Sequence, residues 1–139
     1  MAKKKQHLKF DKRGGVLIIG RRLMNSEAYS ALRPASKVLM LLMQEHWSND
    51  KPVSFSVREA AKKIPCDTKT AQKCFNALMD VGFIECTNQS DWLRGKARNW
   101  RLTWMPYTEK EPTNEWEKWR SEIKPTVGKT TTYLTLFST

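Results

Sequence analysis

Residues that bind metals or form covalent bonds are scarce in this chain. There are three cysteines, Cys66, Cys74 and Cys86. An odd number without a CxxC pair argues against a disulfide framework and against a structural zinc site. The two histidines, His7 and His46, have no nucleophile or metal-ligand spacing around them. No glycine-rich loop of the kind that cradles phosphates occurs. These absences argue against an enzyme, and neither a metal nor a cofactor is expected. No apolar run approaches membrane-spanning length, and MAKKKQHLKFDKRGG at the start lacks the apolar core of a secretory signal. A cytoplasmic location without a membrane partner is the expectation. There is no internal repeat.

Acidic residues are also few, and their shortage is local. The 139 residues hold 25 Lys/Arg and 14 Asp/Glu, a formal charge of +11. Residues 1–104 hold 20 and 9 of these, and residues 105–139 hold 5 of each. The whole excess therefore falls in the first three quarters of the chain. A basic domain attracts polyanions, of which nucleic acid is the commonest.

At this length one domain is the default, and 40% apolar content is enough for one compact core. Three regions are expected. Residues 1–15 form a basic arm, in which Lys3, Lys4, Lys5, Lys9, Lys12 and Arg13 are opposed only by Asp11. Such a run cannot bury itself and is suited to following a DNA backbone. Residues 16–106 form the folded domain. Residues 107–139 form an extension with a short helix from about Asn114 to Glu122, whose Trp116 and Trp119 share one face and are expected to dock on the body, and then a threonine-rich tail.

Within the domain, Val16–Ile19 reads as a short strand or a buried lead-in, followed by a short helix from about Ser26 to Leu32. Pro34 suits the first position of a helix that runs to about Trp47, with Val38, Leu39, Leu42 and Met43 as its core stripe. Val53–Phe55 reads as a short strand. Ser56 and Glu59 form a capping box before a helix whose Val57, Ala60, Ala61 and Ile64 make a narrow face of small residues. Pro65 is expected to end that helix at Ile64, and Asp67 to cap the next. From Thr68 to Val81, Ala71, Cys74, Phe75 and Leu78 fall on one side; Lys69, Gln72, Lys73 and Asn76 fall on the other. Gly82 supplies the stop. Phe83–Thr87 and Asn99–Trp104 read as strands, enclosing a basic loop with Arg94, Lys96 and Arg98.

Two short helices joined by a tight turn, followed by a basic hairpin, are the layout of a unit that reads DNA. The apolar side of Thr68–Val81 would hold the helix down, and its polar side would meet base edges in a major groove, which admits an α-helix. Thr68, Lys69, Thr70, Gln72, Lys73 and Asn76 are the candidate recognition residues. Gln and Asn can pair both ways with adenine, and Lys can donate to guanine O6/N7. Thr68 and Thr70 are placed to meet phosphate or a thymine methyl, and the backbone N–H groups at that helix start also favour phosphate. Arg94, Lys96 and Arg98 are candidate wing contacts. Lys3, Lys4, Lys5, Ser56 and Arg58 are candidate backbone contacts.

The order of elements resembles the winged helix-turn-helix domains of bacterial and phage regulators. More narrowly, it resembles a group of small proteins from bacterial genomes and prophages akin to the N-terminal domain of phage replication protein O. The matching pieces are LMNSEAYSALRPASKVLMLLM, SFSVREAAKKIPCDTKTAQKCFNALMDVGFIE and RGKARNWRLTW. The Ile64-Pro65-Cys66 turn departs from the small or glycine-containing turn that is commoner there. The resemblance implies an α+β fold, a helical core with a small antiparallel β-hairpin wing, and double-stranded DNA as partner. It implies a sequence-specific transcriptional regulator, nucleoid-associated in the cytoplasm. The group also includes replication initiators, so a phage or plasmid replication-initiation or accessory factor is the alternative; an RNA-binding or protein-adaptor module is a third reading. A homodimer held through the N-terminal segment or the tryptophan helix stays open, with no heptad run to mark it.

Overall fold

The computed structural model describes residues 9–88 and 98–121. The described residues form a mixed α+β fold of five α-helices and one small three-stranded antiparallel sheet. In chain order these are α1 (Arg21–Met24), α2 (Glu27–Ser30), α3 (Pro34–Glu45), β1 (Val53–Ser54), α4 (Val57–Lys63), α5 (Thr68–Asp80), β2 (Ile84–Cys86) and β3 (Asn99–Leu102), followed by a 3-10 turn at Glu115–Lys118. β3 lies between the other two strands.

Short polar side chains start three of the helices. The Ser26 hydroxyl accepts the Tyr29 N–H at 3.1 Å, the Ser56 hydroxyl accepts that of Glu59 at 3.0 Å, and the Asp67 carboxylate accepts that of Thr70 at 2.8 Å. Each satisfies a donor that the first helical turn leaves without a partner. α3 starts instead on Pro34, whose missing N–H costs nothing at that position. α4 ends just before Pro65, with Lys63 its last residue and Ile64 its C-cap. Ile64 keeps helical dihedrals (φ −67, ψ −38), and its N–H still reaches the Ala60 carbonyl at 2.9 Å. The ladder breaks at Pro65, which has no N–H to donate. The Ile64–Pro65 peptide is cis.

α5 ends in a Schellman arrangement. Gly82 takes φ +89. Its N–H bonds the Met79 carbonyl at 3.1 Å, and the Phe83 N–H reaches back to the Leu78 carbonyl at 2.9 Å. Leu78 and Phe83, the pair such an ending brings together, are both fully buried.

α3, α4 and α5 pack on one another and on the inner face of the sheet. Ala60 and Ala61 of α4 are buried beside Ala71, Cys74, Phe75 and Leu78 of α5. Small residues on one helix let the other approach closely. In β3, Trp100 and Leu102 point inward. Trp100 stacks on Phe75 with ring centroids 5.0 Å apart and donates its indole N–H to the Phe55 carbonyl at 3.1 Å. The register pairs Val53 with Trp100 and Ser54 with Asn99 on one side of β3, and Ile84 with Leu102 and Cys86 with Trp100 on the other.

Three expectations differ from what is observed. Val16–Ile19 is not a strand and is buried only at its end: Val16, Leu17 and Ile18 are exposed, Ile18 at 76%, while Ile19 packs half-buried against the core. α3 turns Ser36, Leu39, Met40, Met43 and Gln44 inward, while Val38 is exposed and Leu42 half-buried. Gln44 is buried because it has work for both ends of its amide, donating to the Ile18 carbonyl and accepting from the Trp104 indole, each at 3.0 Å. The extension begins with a 3-10 turn rather than a longer α-helix, entered through Asn114 at φ 49. It does dock: Trp116 is buried and stacks on Phe83 at 5.9 Å, and Trp119 packs half-buried against the core. Arg120 and Ser121 reach Glu27, and Arg22 pairs with Glu117. Residues up to 121 are thereby tied to the helical body. The Thr126–Thr139 tail and the Trp92-Leu93 pair fall outside the described residues.

Candidate nucleic-acid interface

The apolar stripe of α5 is consumed by the core, so its opposite side faces outward. Lys69, Lys73 and Asn76 are exposed, as are Thr68 and Thr70 at the helix start. Gln72 is half-buried. Positions 69, 72, 73 and 76 share one face by helical spacing, and no part of the described fold covers the lysines. Next to them, α4 presents Arg58, Lys62 and Lys63, all exposed.

The charge on these two helices differs from that on the rest of the molecule. The ion pairs among the described residues join Arg13 to Asp11, Arg22 to Glu117, Arg101 to Glu85, Lys118 to Glu115 and Arg120 to Glu27. None involves Arg58, Lys62, Lys63, Lys69 or Lys73. Five cations on two adjacent helices therefore form no ion pair among the described residues, although the Lys73 charge acts on the Asp67 carboxylate from a distance. Like charges at this density repel one another, and an anion brought to them relieves that repulsion.

One wing residue reaches the strip. Arg98 lies just before β3, and its carbonyl is held by the Phe55 N–H at 3.2 Å. Its guanidinium donates to Gln72 Oε1 at 3.0 Å. Gln72 Nε2 in turn donates to Asn76 Oδ1 at 3.0 Å. Partial burial disfavours the charged guanidinium and shifts Arg98 below its ordinary pKa, with nearby Cys86 pulling the other way. Arginine stays charged at neutral pH regardless. The hairpin base is pinned beside it, where the Asn99 N–H bonds Asn88 Oδ1 at 2.7 Å and the Thr87 N–H bonds the Asn99 carbonyl at 2.9 Å.

Sequence reasoning places Arg98 in the wing but misses its bond to Gln72. The signal is in the alternation: position 98 shares parity with Trp100 and Leu102, the inward residues of β3, and so points the same way, toward α5. Ser56 sits at the start of α4 as expected, but its hydroxyl oxygen already accepts the Glu59 N–H, so it can meet phosphate only as a donor. At the start of α5 the backbone N–H groups have a competitor. Asp67 takes the Thr70 N–H, and the Thr70 hydroxyl followed by that N–H holds its carboxyl below the usual carboxylate range. A fixed negative charge there works against a phosphate at the helix end, leaving the side-chain cations as the groups suited to an anion. Arg94, Lys96, Lys3, Lys4 and Lys5 lie outside the described residues.

The remaining chemistry is unremarkable. Burial pushes the Cys66 thiol up, away from the reactive thiolate. Among the described residues there is no group of three or more His, Cys, Asp or Glu able to hold a metal ion, and no helix is long and apolar enough to cross a membrane. No protein-family model, no curated protein and no solved structure matches this chain.

Proposed function

We propose that this chain is a sequence-specific double-stranded DNA-binding protein of the winged helix-turn-helix type, acting as a transcriptional regulator. α4, the Ile64–Asp67 turn and α5 serve as the helix-turn-helix, and the β2–β3 hairpin serves as the wing. α5 enters the major groove with Lys69, Gln72, Lys73 and Asn76 toward the bases. Arg58, Lys62 and Lys63 grip phosphates beside it. The observation that carries the reading is the segregation of charge: the five cations of α4 and α5 are exposed and form no ion pair among the described residues, beside a polar strip linked to the hairpin through Arg98. The regulatory role rests on the resemblance of the sequence to regulators of this type.

Titration of labelled duplex DNA at several stated salt concentrations tests the binding, with single-stranded RNA of equal length as the comparison. Three phosphate contacts by α4 alone give a slope of log affinity against log salt of about −3, and further contacts steepen it. Salt-insensitive affinity, or preference for the RNA, overturns the reading. Footprinting then tests the role: a site over a promoter supports a regulator, and a tandem array near an origin supports a replication factor instead.

A further inference from the structure

The bond between Arg98 and Gln72 does more than join the wing to the helix. Arginine carries hydrogen-bond donors and no acceptor. The Gln72 atom facing it must therefore be the carbonyl oxygen, Oε1. That turns Nε2 toward Asn76, and since Nε2 is itself a donor, the Asn76 atom opposite must be Oδ1. A single guanidinium thus sets the orientation of two amides that could otherwise flip.

The consequence is a face dominated by hydrogen-bond donors, because each amide oxygen has one of its two lone pairs already taken. Both amide oxygens already accept a bond from within the protein. The Asn76 amide nitrogen has no partner among the described residues, and Gln72 Nε2 keeps a second proton. The Lys69 and Lys73 ammonium groups add three donors each, and both are exposed without an ion pair. No carboxylate stands among positions 69, 72, 73 and 76 to offer an acceptor.

Guanine presents two acceptors in the major groove, N7 and O6. Adenine presents one acceptor and one donor, thymine a single acceptor beside its methyl group, and cytosine a donor, so guanine alone offers two acceptors. Two-way pairing of Gln72 with adenine needs Oε1 and Nε2 turned together onto one base, whereas here they are held by two different partners. We infer that α5 reads guanine, with Arg98 as a positioning residue that fixes Gln72 and Asn76 as donors toward the groove. This rests on the proposal that α5 meets a major groove. It replaces the adenine pairing expected from residue type alone.

The test uses the full chain and the duplex it prefers from a random pool, at one stated salt concentration. Each guanine in that duplex is replaced in turn by 7-deazaguanine, which keeps Watson–Crick pairing but removes the N7 acceptor. At least one replacement is expected to weaken binding about fivefold or more, the lower end for a good base contact. Arg98→Met keeps an apolar stem but frees the amides, and narrows the guanine-over-adenine ratio at that position about tenfold, beyond any uniform loss of affinity that removing a positive charge causes for all duplexes. Gln72→Glu, a near-isosteric change at a half-buried position that leaves Arg98 a partner, converts donor to acceptor and moves the preference there from guanine to cytosine. Tight duplex binding with no 7-deazaguanine effect, or with unchanged base preference in Gln72→Glu, overturns the guanine assignment and leaves DNA binding standing. Failure to bind any duplex overturns the DNA reading and this inference with it.

Discussion

Replacing Gly82 by alanine is expected to destabilise the protein by about 2 kcal/mol, from two separate causes. The first is conformational. Gly82 sits at φ +89, where a Cβ meets the following carbonyl at a cost of about 1–2 kcal/mol. The second is crowding. A Cβ built there lies 3.1 Å from both the Glu115 carbonyl carbon and the Trp116 amide nitrogen, and 3.2 Å from the Glu115 oxygen. These are backbone atoms at the start of the 3-10 turn, so relief requires moving the segment that carries Trp116, whose ring is buried on Phe83. Neither cause is removed without loosening the other side: relaxing φ breaks the Phe83 N–H to Leu78 bond that ends α5.

Urea unfolding followed by far-ultraviolet circular dichroism measures the change. Two companion variants divide it. Gly82→Asn tolerates the left-handed conformation but brings the same Cβ, so it recovers the first cost and keeps the second. Gly15→Ala faces a similar φ of +92 with nothing within 4 Å; the strain there is relieved locally in an exposed segment, and global stability is expected to stay within about 0.5 kcal/mol. A Gly82→Ala protein as stable as the parent refutes the reasoning. So does a Gly15→Ala loss of equal size, since the penalty would then owe nothing to the packing of residues 115–116.

Trp116→Ala removes a buried ring stacked on Phe83 and is expected to cost about 3–5 kcal/mol, read as a fall in urea midpoint. Trp100→Phe keeps most of the stack on Phe75 but leaves the buried Phe55 carbonyl without its indole donor, a loss of about 1–3 kcal/mol by the same assay. Asp67 is held below its ordinary pKa by Thr70, so its capping contribution is present above the unfolded carboxylate pKa and is lost as pH falls through the lower folded one. Asp67→Asn caps without titrating, so the stability difference between the two proteins is expected to change only in that acidic window, as pH-dependent melting would reveal. Lys62→Ala is expected to weaken all duplexes alike and to make the salt slope shallower by about 0.9.

The parts of this fold legible in the sequence are those dictated by local chemistry. Ser56 and Asp67 can start helices because of their own side chains, and Gly82 can stop one because it has no Cβ. α5 is legible along its whole length, since its apolar and polar residues separate cleanly at helical spacing. α3 is not, because Val38, Leu39, Met40, Leu41, Leu42 and Met43 are apolar all the way round. Periodicity cannot choose a face from a continuous run, and the choice falls instead to Gln44, whose buried amide joins residues 26 and 60 positions away. Val16–Ile19 fails for the opposite reason: its composition suits burial, but among the described residues no strand pairs with it.

The candidate site divides along the same line. Which residues of α5 face outward follows from the helix period alone. What those residues can say to a base does not, because an amide is both donor and acceptor until a neighbour fixes it. That neighbour is 26 positions away in the chain, just before a strand whose alternation, carried back one residue, points it toward α5. Residue type gives Gln72 and Asn76 two possible meanings; the Arg98 guanidinium, having no acceptor to offer, leaves one. If α5 meets a major groove as proposed, specificity belongs to the contact between the β2–β3 hairpin and the helix rather than to the helix by itself. Grafting the polar face of α5 onto another helix without an arginine at the equivalent of Arg98 would therefore carry over affinity for duplex DNA but not the choice of base.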